Sequence, residues 1–246
     1  RVYDTFDGRG WHQKGQGYPG EMLLDTAETL YAVKQYREEY QRDYLLEVSL
    51  EIRYEDFNTG YLFAPLKTWS VGGVEPTDYA WEEAGLRWTR QKGYGTEYTL
   101  RYFRMNAGQQ EFDRFLKEAG KNGEEGLSGD GWEEMLRECG QRKGDAVTRE
   151  DFLAYRSEIY ENYLGEVRLS PEVSSFLHEI TQNKTTDIEK LRAIEQELQS
   201  YTYTRTPGEL PDWVEEEGEF MDYFLLESRE GYCTYFDTAF VLLARA

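Results

Sequence analysis

The spacing of apolar residues changes once along the chain, and this change limits the possible folds more than any other feature. Between residues 46 and 54, apolar and polar side chains alternate strictly, which predicts a half-buried antiparallel strand. After Asn106 the apolar residues recur at helical spacing, as at Phe112, Phe115 and Leu116. We therefore expect an α+β protein in which a β-rich part comes first and a helical part follows.

Residues 1–106 are predicted to form an antiparallel β-sandwich-like domain. Short strands with turns between them are typical of a sandwich. Besides the strand at 46–54, the segment 26–40 is ambiguous, because its apolar residues suit a helix while its tyrosines also suit a strand; a helix or a mixed segment is expected. Further strand candidates, separated by turn signals, are 61–66, 69–71, 86–89 and 94–103.

Residues 107–164 are predicted to be a helical insertion or small subdomain. Thr148-Arg149-Glu150-Asp151 has the form of a variant capping box, with Asp in place of Glu at the third helical position. The glycine-rich link at 120–131 lacks the D-x-[DN]-x-[DN]-G spacing that supplies calcium with oxygen ligands. No metal site and no cofactor are predicted.

Residues 165–246 contain two clear helix starts. Ser170 and Pro171 suit the N-cap and the first helical position, and Thr186-Asp187-Ile188-Glu189 is a full capping box. A strand signal follows at 201–204. The acidic segment 209–219 is predicted to be a solvated loop. We therefore expect two helices, a short strand and a loop before the last stretch of the chain.

Charge and composition exclude several classes of protein. The 246 residues carry a formal net charge of −20 without a basic cluster, which argues against nucleic acid and anionic membranes as partners. The 20 Tyr, 12 Phe and 6 Trp argue against a disordered chain. No apolar stretch reaches the roughly 18–20 residues of a membrane-spanning helix, and there is no signal peptide. Two cysteines cannot form a disulfide framework, and the oligomeric state is left open.

The last stretch carries the strongest chemical signal. Gly231-Tyr232-Cys233 leads into an apolar run, so Cys233 is expected at or near the N-terminus of a buried helix. Unpaired backbone N–H groups and the helix dipole favour an anion at such a place and can lower the pKa of a thiol. The residues of the run that recur at helical spacing are Phe236, Ala239, Phe240 and Leu243.

The other reactive side chains give weaker signals. His12 and His178 are predicted to be surface or otherwise satisfied histidines, and Cys139 a structural or exposed thiol. The chain begins with Arg1 and ends thirteen residues after Cys233, inside the predicted helix. We therefore expect it to be a piece of a longer protein.

The second half of the chain resembles the transglutaminase-like superfamily over roughly residues 165–246. The resemblance is carried by the helix that starts at Thr186, the strand at 201–204, the segment 222–226 and, most specifically, Gly231-Tyr232-Cys233 with its helix. The beginning, Val-Tyr-Asp-Thr-Phe-Asp-Gly-Arg-Gly-Trp at 2–11, resembles a motif found ahead of the core in bacterial membrane-anchored members. In those members the soluble portion lies outside the cytoplasmic membrane.

This resemblance implies a papain-like core with a Cys-His-Asp triad, of which the chain holds the N-terminal helical half. Cys233 matches the nucleophile, which attacks an amide of a protein or peptide substrate, either a glutamine side chain or a peptide bond, and forms a thioester. Tyr232 is its neighbour in the site. The His and Asp are expected downstream of Ala246, so the chain alone is expected to be inactive. The resemblance also implies an extracytoplasmic location, as part of a membrane-anchored parent.

Asp237 departs from the family pattern, which usually has a small residue at this position. It follows Cys233 by one helical turn, so its carboxylate would face roughly the same side, and a nearby negative charge disfavours a thiolate. Asp237 and the missing triad members support an alternative function. In that alternative the chain is a non-catalytic cell-surface interaction or scaffold module with a degenerate transglutaminase-like core.

Overall fold

A computed structural model describes most of the chain. The described residues are 3–13, 18, 20–36, 44–82, 85–106, 112, 115–116, 130–164 and 167–246. The chain forms two compact units: the first comprises Gln16–Glu158 with the first two residues, and the second comprises Tyr3–Gly15 and Ile159–Ala246. The boundaries predicted at residues 106 and 164 stay predictions.

Among the described residues, strands predominate in the first half of the chain and helices in the second. In chain order they are β1 (Thr5–Phe6), β2 (Trp11–His12), α1 (Glu21–Tyr36), β3 (Leu45–Arg53), β4 (Thr59–Leu62), β5 (Thr68–Gly72), β6 (Tyr79–Glu82), β7 (Gly85–Lys92), β8 (Glu97–Met105), α2 (Asp130–Lys143), α3 (Arg149–Tyr163), α4 (Pro171–Thr181), α5 (Asp187–Leu198), β9 (Thr202–Tyr203), α6 (Asp212–Glu217), α7 (Phe220–Asp222), a π-helical turn (Tyr223–Ser228), β10 (Glu230–Gly231) and α8 (Cys233–Arg245). The predicted α+β class is confirmed.

Two three-stranded antiparallel sheets form the β-rich part of the first unit. Their strand orders are β3-β8-β5 and β4-β7-β6. The strand predicted at 46–54 is β3, which pairs with β8 along its whole length, from Leu45 opposite Met105 to Arg53 opposite Glu97. Antiparallel pairing suits the alternating pattern, because one face of such a strand can stay solvated.

A tyrosine–tryptophan cluster lies in the core of this unit and accounts for part of the high aromatic content. Trp88 on β7 donates its indole N–H to the Tyr54 hydroxyl at 3.1 Å, and the Tyr54 and Tyr98 hydroxyls are 3.3 Å apart. Tyr98, on β8, in turn donates to the carbonyl of Phe63 at 3.0 Å. The cluster therefore joins one strand of each sheet through rings that bury their polar atoms in hydrogen bonds.

Helices complete the first unit. The ambiguous segment 26–40 lies largely within α1, and its Tyr31 ring packs edge-on against Trp132 of α2 at 4.8 Å. Trp132 also contacts Phe152 of α3 at 4.6 Å. The sequence pattern of this segment suits a helix and a strand about equally, and tertiary packing against Trp132 stabilises the helix.

The second unit follows the predicted helix starts closely. The Ser170 hydroxyl accepts a hydrogen bond from the Val173 N–H and so caps α4, and Thr186 and Glu189 form the predicted capping box of α5. The acidic segment 209–219, however, is not a loop throughout. It contains α6, because Val214 is buried in the core of this unit and Gly218 ends the helix in the left-handed conformation.

The core of the second unit is apolar and strongly aromatic. Its central ring is Phe224, which lies on the π-helical turn and is fully buried. Phe224 contacts the rings of Tyr201, Phe220, Tyr235 and Phe236 at 5.3–5.8 Å. Burying a phenylalanine side chain contributes about 1.5–3 kcal/mol to folding. The core therefore forms beneath α8 and fixes the helix that begins with Cys233. Within the described residues, no helix is both long enough and apolar enough to cross a membrane.

Candidate active site

Cys233 is the first residue of α8, and its side chain is exposed. Tyr232 is the N-cap residue, whose carbonyl accepts the N–H groups of Tyr235 and Phe236 at 2.8 and 3.4 Å. No side chain caps this helix. The N–H groups of Cys233 and Thr234 therefore have no acceptor within the helix, and such a helix end favours an anion. The predicted position of Cys233 at a helix N-terminus agrees with the structure.

Gly231 allows the chain to reach the helix at a sharp angle. A Cβ atom at this position would come within 2.5 Å of Cδ2 and 2.8 Å of Cβ of Tyr235, closer than real Cβ contacts come. Gly231 is also held on its other side, where its carbonyl accepts the N–H of Thr204 at 2.8 Å in the parallel β9–β10 pair. The Gly-Tyr-Cys sequence thus consists of a residue without a side chain, an N-cap and an exposed thiol.

The inner face of α8 anchors the thiol to the core. Tyr235 packs edge-on against Phe220 at 4.9 Å and Phe224 at 5.7 Å, and each such ring pair is worth about 0.5–1.5 kcal/mol. Phe236, predicted to lead the buried stripe, is only half-buried, as is Phe240. The stripe is rotated by about one residue relative to the prediction because Tyr235 occupies the central position. The buried residues of the helix are Tyr235, Thr238, Ala239, Leu242 and Leu243.

The N-terminal hairpin, residues 3–13 with strands β1 and β2, packs on the same helix. Trp11 donates its indole N–H to the hydroxyl of buried Thr238 at 2.9 Å. Arg245, near the end of α8, lies over the Trp11 ring at 5.3 Å and donates to the carbonyl of Asp4 at 2.6 Å. The described part of the motif, residues 3–11, therefore supports the helix of Cys233 from a position more than 200 residues away in sequence.

The turn of this hairpin is stabilised by Asp7. Its carboxylate accepts the N–H groups of Arg9 and Gly10 at 2.9 and 2.8 Å and lies 2.7 Å from Nε2 of His12. These hydrogen bonds to the charged form hold the pKa of Asp7 at about 2, below its usual value. Gly8 adopts a φ of 94° and lies against the backbone of Gly218, which leaves no room for a side chain. The turn thereby joins α8 to the segment that follows α6.

The structure does not bring the histidines to Cys233. His12 is exposed and paired with Asp7, and His178 is exposed on α4. Asp237 is exposed on α8, one turn after Cys233. In the described part of the chain, no hydrogen bond or ion pair joins Cys233 to a histidine or a carboxylate, and no cluster of three metal-ligating side chains occurs.

Cys139 has a different environment. It lies within α2, is fully buried, and is free, as is Cys233. Burial raises the pKa of the Cys139 thiol to about 12, although Lys143 and Arg142 act in the opposite direction. Of the two predicted alternatives, a structural or an exposed thiol, the structure shows that Cys139 is not exposed. Buried cysteines are in general chemically inert.

A cavity in the described part of the second unit lies away from Cys233. It has a volume of about 750 Å³ and lies at the other end of α8, beside Leu242 and Arg245. Twelve residues separate Arg245 from Cys233, which corresponds to about 18 Å along a helix. The cavity is thus too far away to hold the group that reacts at the sulfur.

Sequence reasoning missed two neighbours of the helix. The contact between Trp11 and Thr238 joins residues from opposite ends of the chain, and its signal was a single threonine inside an apolar run. Tyr203 lies on β9, with its ring 6.1 Å from that of Phe236 and its side chain exposed. The strand signal placed Tyr203 correctly, but nothing local connected it with Cys233.

Comparison with known proteins supports one family for the second half of the chain. Residues 174–246 match the family model described as "Transglutaminase-like superfamily", which confirms the predicted resemblance in the region that contains Cys233. No curated protein matches the chain.

Two solved structures are similar over nearly the whole chain. The periplasmic domain of TgpA from Pseudomonas aeruginosa has 15% identity and a TM-score of 0.49, with 99% of this chain and 62% of that chain covered. The same domain bound to ethylmercury has 14% identity and a TM-score of 0.48, with 99% and 64% covered. The chain thus spans less than two thirds of the length of either structure.

Proposed function

We propose that Cys233 is the nucleophile of a transglutaminase-like acyltransferase or amide hydrolase that acts on a protein or peptide. The observation that supports this most is the position of the thiol. It is exposed at the uncapped N-terminus of α8, inside the segment that matches the superfamily. A helix N-terminus stabilises a thiolate, and the thiolate is the nucleophilic form.

The reaction would proceed in two steps. The Cys233 sulfur attacks the carbonyl carbon of a glutamine side chain or a peptide bond, the carbon–nitrogen bond breaks, and the leaving amine takes up a proton. The thioester that results is then attacked by an amine, which gives a cross-link, or by water, which gives deamidation or hydrolysis. In either case the sulfur leaves and is reprotonated, so the thiol is restored.

A base and an orienting carboxylate are needed for turnover, and we propose that the parent protein supplies them beyond residue 246. In the described residues His12 pairs with Asp7 and His178 is exposed on α4, so neither contacts Cys233. We therefore expect the 246-residue chain to react as a thiol without catalysing amide turnover. Proton transfer to the leaving amine needs a general acid, which we propose the rest of the parent protein supplies.

The thiol is tested by alkylation with iodoacetamide between pH 5 and 9, with the modified peptides identified by mass spectrometry. We expect Cys233 to react faster than free cysteine below pH 7, and Cys233→Ala to remove this reaction. A rate equal to that of free cysteine across this range would refute the activated thiolate.

Turnover is tested with a fluorescent primary amine and a glutamine-containing protein. We expect incorporation or hydrolysis with the full-length parent, none with its Cys233→Ala variant, and none with the 246-residue chain. Activity of the 246-residue chain would show that its own residues complete the triad.

A non-catalytic surface module is the second candidate, and Asp237 is the observation that favours it. An exposed carboxylate one helical turn from the sulfur disfavours a thiolate. The sequence that follows residue 246 in the parent separates the two candidates. A histidine and then an aspartate, each on a predicted strand, would support the enzyme, whereas their absence would support the interaction module.

We further propose that the chain is an extracytoplasmic portion of a membrane-anchored protein. The support is the motif at 2–11, which resembles that of membrane-anchored members and forms the hairpin against α8. A membrane-impermeant maleimide added to intact cells that express the parent should label exposed Cys233. Labelling only after lysis would contradict this location.

A further inference from the structure

Three aromatic rings form a stack that runs from the core of the second unit to the surface beside Cys233. We call it the aromatic column; it consists of Phe224, Phe236 and Tyr203. Phe224 is fully buried and contacts the half-buried ring of Phe236 edge-on at 5.3 Å. Phe236 in turn lies 6.1 Å from Tyr203, whose side chain is 58% exposed. Both separations are within the range in which aromatic rings attract one another.

The outer end of the column flanks the thiol from two different elements. Phe236 follows Cys233 by three residues on α8, and side chains with this spacing are neighbours on a helix surface. Tyr203 lies on β9 directly opposite Gly231, which precedes Cys233 by two residues. Both rings are therefore held on elements that adjoin Cys233.

An exposed aromatic ring alone would carry no conclusion, because single apolar side chains are common on protein surfaces. Tyr203 differs in that it rests on a half-buried ring that is itself fixed by a buried one. Strand pairing holds its backbone as well, since the neighbouring Thr202 and Thr204 N–H groups donate to the carbonyls of Arg229 and Gly231 at 2.9 and 2.8 Å. The exposed ring of Tyr203 is thus held in place by the Phe236 ring and by the pairing of β9 with β10.

We propose that Tyr203 and Phe236 form a wall that receives an apolar side chain, preferably an aromatic one, next to the reacting amide of the acyl donor. Tyr203 is the specificity-determining residue of this wall, and Phe236 supports it. This inference rests on the proposed function of Cys233 and adds the chemical class of the group beside the amide. Contact between the Tyr203 ring and an aromatic side chain of the acyl donor would favour such a donor roughly 2- to 10-fold over one without the aromatic group.

The test compares two reagents that differ only in an aromatic group, iodoacetamide and N-benzyl-iodoacetamide. The second-order rate constant of each reagent with Cys233 is measured, and the benzyl value is divided by the iodoacetamide value. Dividing this ratio by the same ratio for glutathione corrects for the difference in intrinsic reactivity between the two reagents. For the wild-type chain we expect a normalised preference for the benzyl reagent of about 2- to 10-fold. Tyr203→Phe should keep this preference, because the ring remains, and Tyr203→Ala should reduce it to about one.

Tyr94→Ala is the matched control, because Tyr94 is 78% exposed and belongs to the first unit. It should leave the preference unchanged. A circular dichroism spectrum confirms that each variant is folded, which is expected since both side chains are mainly exposed.

The outcomes distinguish this inference from the proposed function. A wild-type preference near one, or a preference that Tyr203→Ala does not alter, would overturn the wall even if Cys233 reacts rapidly with iodoacetamide. Slow reaction with iodoacetamide would count against Cys233 as an activated nucleophile. If the benzyl preference nevertheless persisted and depended on Tyr203, the wall would stand as an apolar binding surface.

Discussion

The two cysteines of the chain occupy helices of opposite character. Cys139 lies within α2, where its own backbone N–H belongs to the helical ladder and its side chain is fully buried. Cys233 begins α8, where its own N–H has no acceptor within the helix and its side chain is exposed. Burial raises the pKa of the first thiol to about 12. The position of a cysteine within its helix, together with burial, therefore decides whether it is inert or available for chemistry.

The two cysteines also differ in how the rest of the protein packs around them. Cys139 is fully buried, which excludes solvent and reagent alike. Around Cys233 the packing is confined to one side of α8, where Tyr235 and Thr238 are buried, while the end of the helix stays open. A reactive thiol needs a rigid support on the buried side of its helix and access to solvent on the other. The contacts of Gly231 and Trp11 supply the support, which we call the back of the site, and the exposed side at Cys233 is its front.

The largest expected effect is a difference in alkylation of the two thiols in the native chain. At pH 8 only about one in 10,000 thiols with a pKa near 12 is ionised, and Cys139 is also inaccessible. We expect iodoacetamide to modify Cys233 at least about 100-fold faster than Cys139. Peptide mass spectrometry measures both rates in one sample. In 8 M urea the two rates should become similar; equal rates without urea would remove the contrast between the two sites.

Gly231→Ala should disrupt the back of the Cys233 site. The new methyl group would overlap the ring and Cβ of Tyr235, and overpacking of this kind typically costs about 1–3 kcal/mol. Urea unfolding followed by circular dichroism should show a lower midpoint. Gly85→Ala is the control, because no atom lies within 4 Å of a Cβ at Gly85. Similar midpoints for both variants would mean that the approach of β10 to α8 is not tight.

Trp11→Phe tests the hairpin that supports α8. The substitution keeps a ring beneath Arg245 but removes the hydrogen bond to Thr238, whose buried hydroxyl loses its donor. The free energy of unfolding should fall by about 1 kcal/mol. Thr238→Val completes a double-mutant cycle, in which the two changes should be less than additive. Strict additivity would show that the hydrogen bond contributes nothing.

Asp237→Asn has the smallest expected effect and addresses the front of the site. Without the carboxylate, an anionic reagent such as iodoacetate should meet less repulsion at Cys233. Its alkylation of Cys233 near pH 7 should then become about twofold faster, in line with the few tenths of a kcal/mol between like charges one turn apart. The increase should shrink at 1 M salt. Glu179→Gln, an exposed change on α4, controls for the altered net charge. An unchanged rate would place the Asp237 charge too far from the sulfur to matter.

Local sequence determined the features that depend on neighbouring residues. The alternation at 46–54 gave β3, and Ser170 and Thr186 gave the starts of α4 and α5, since capping involves only atoms within one turn. Gly231-Tyr232-Cys233 placed the thiol at a helix end for the same reason. The superfamily match in this region agrees with that prediction.

Only the tertiary structure decided the features that join distant parts of the chain. Val214 made α6 a helix where the acidic sequence suggested a loop, because a buried contact outweighed the solvated charges. The bond between Trp11 and Thr238, the burial of Cys139 and the ring of Tyr203 beside Phe236 have no local signal either. Each depends on packing between elements that are far apart in sequence. The sequence alone thus located the thiol, while the fold determined its support and its aromatic neighbours.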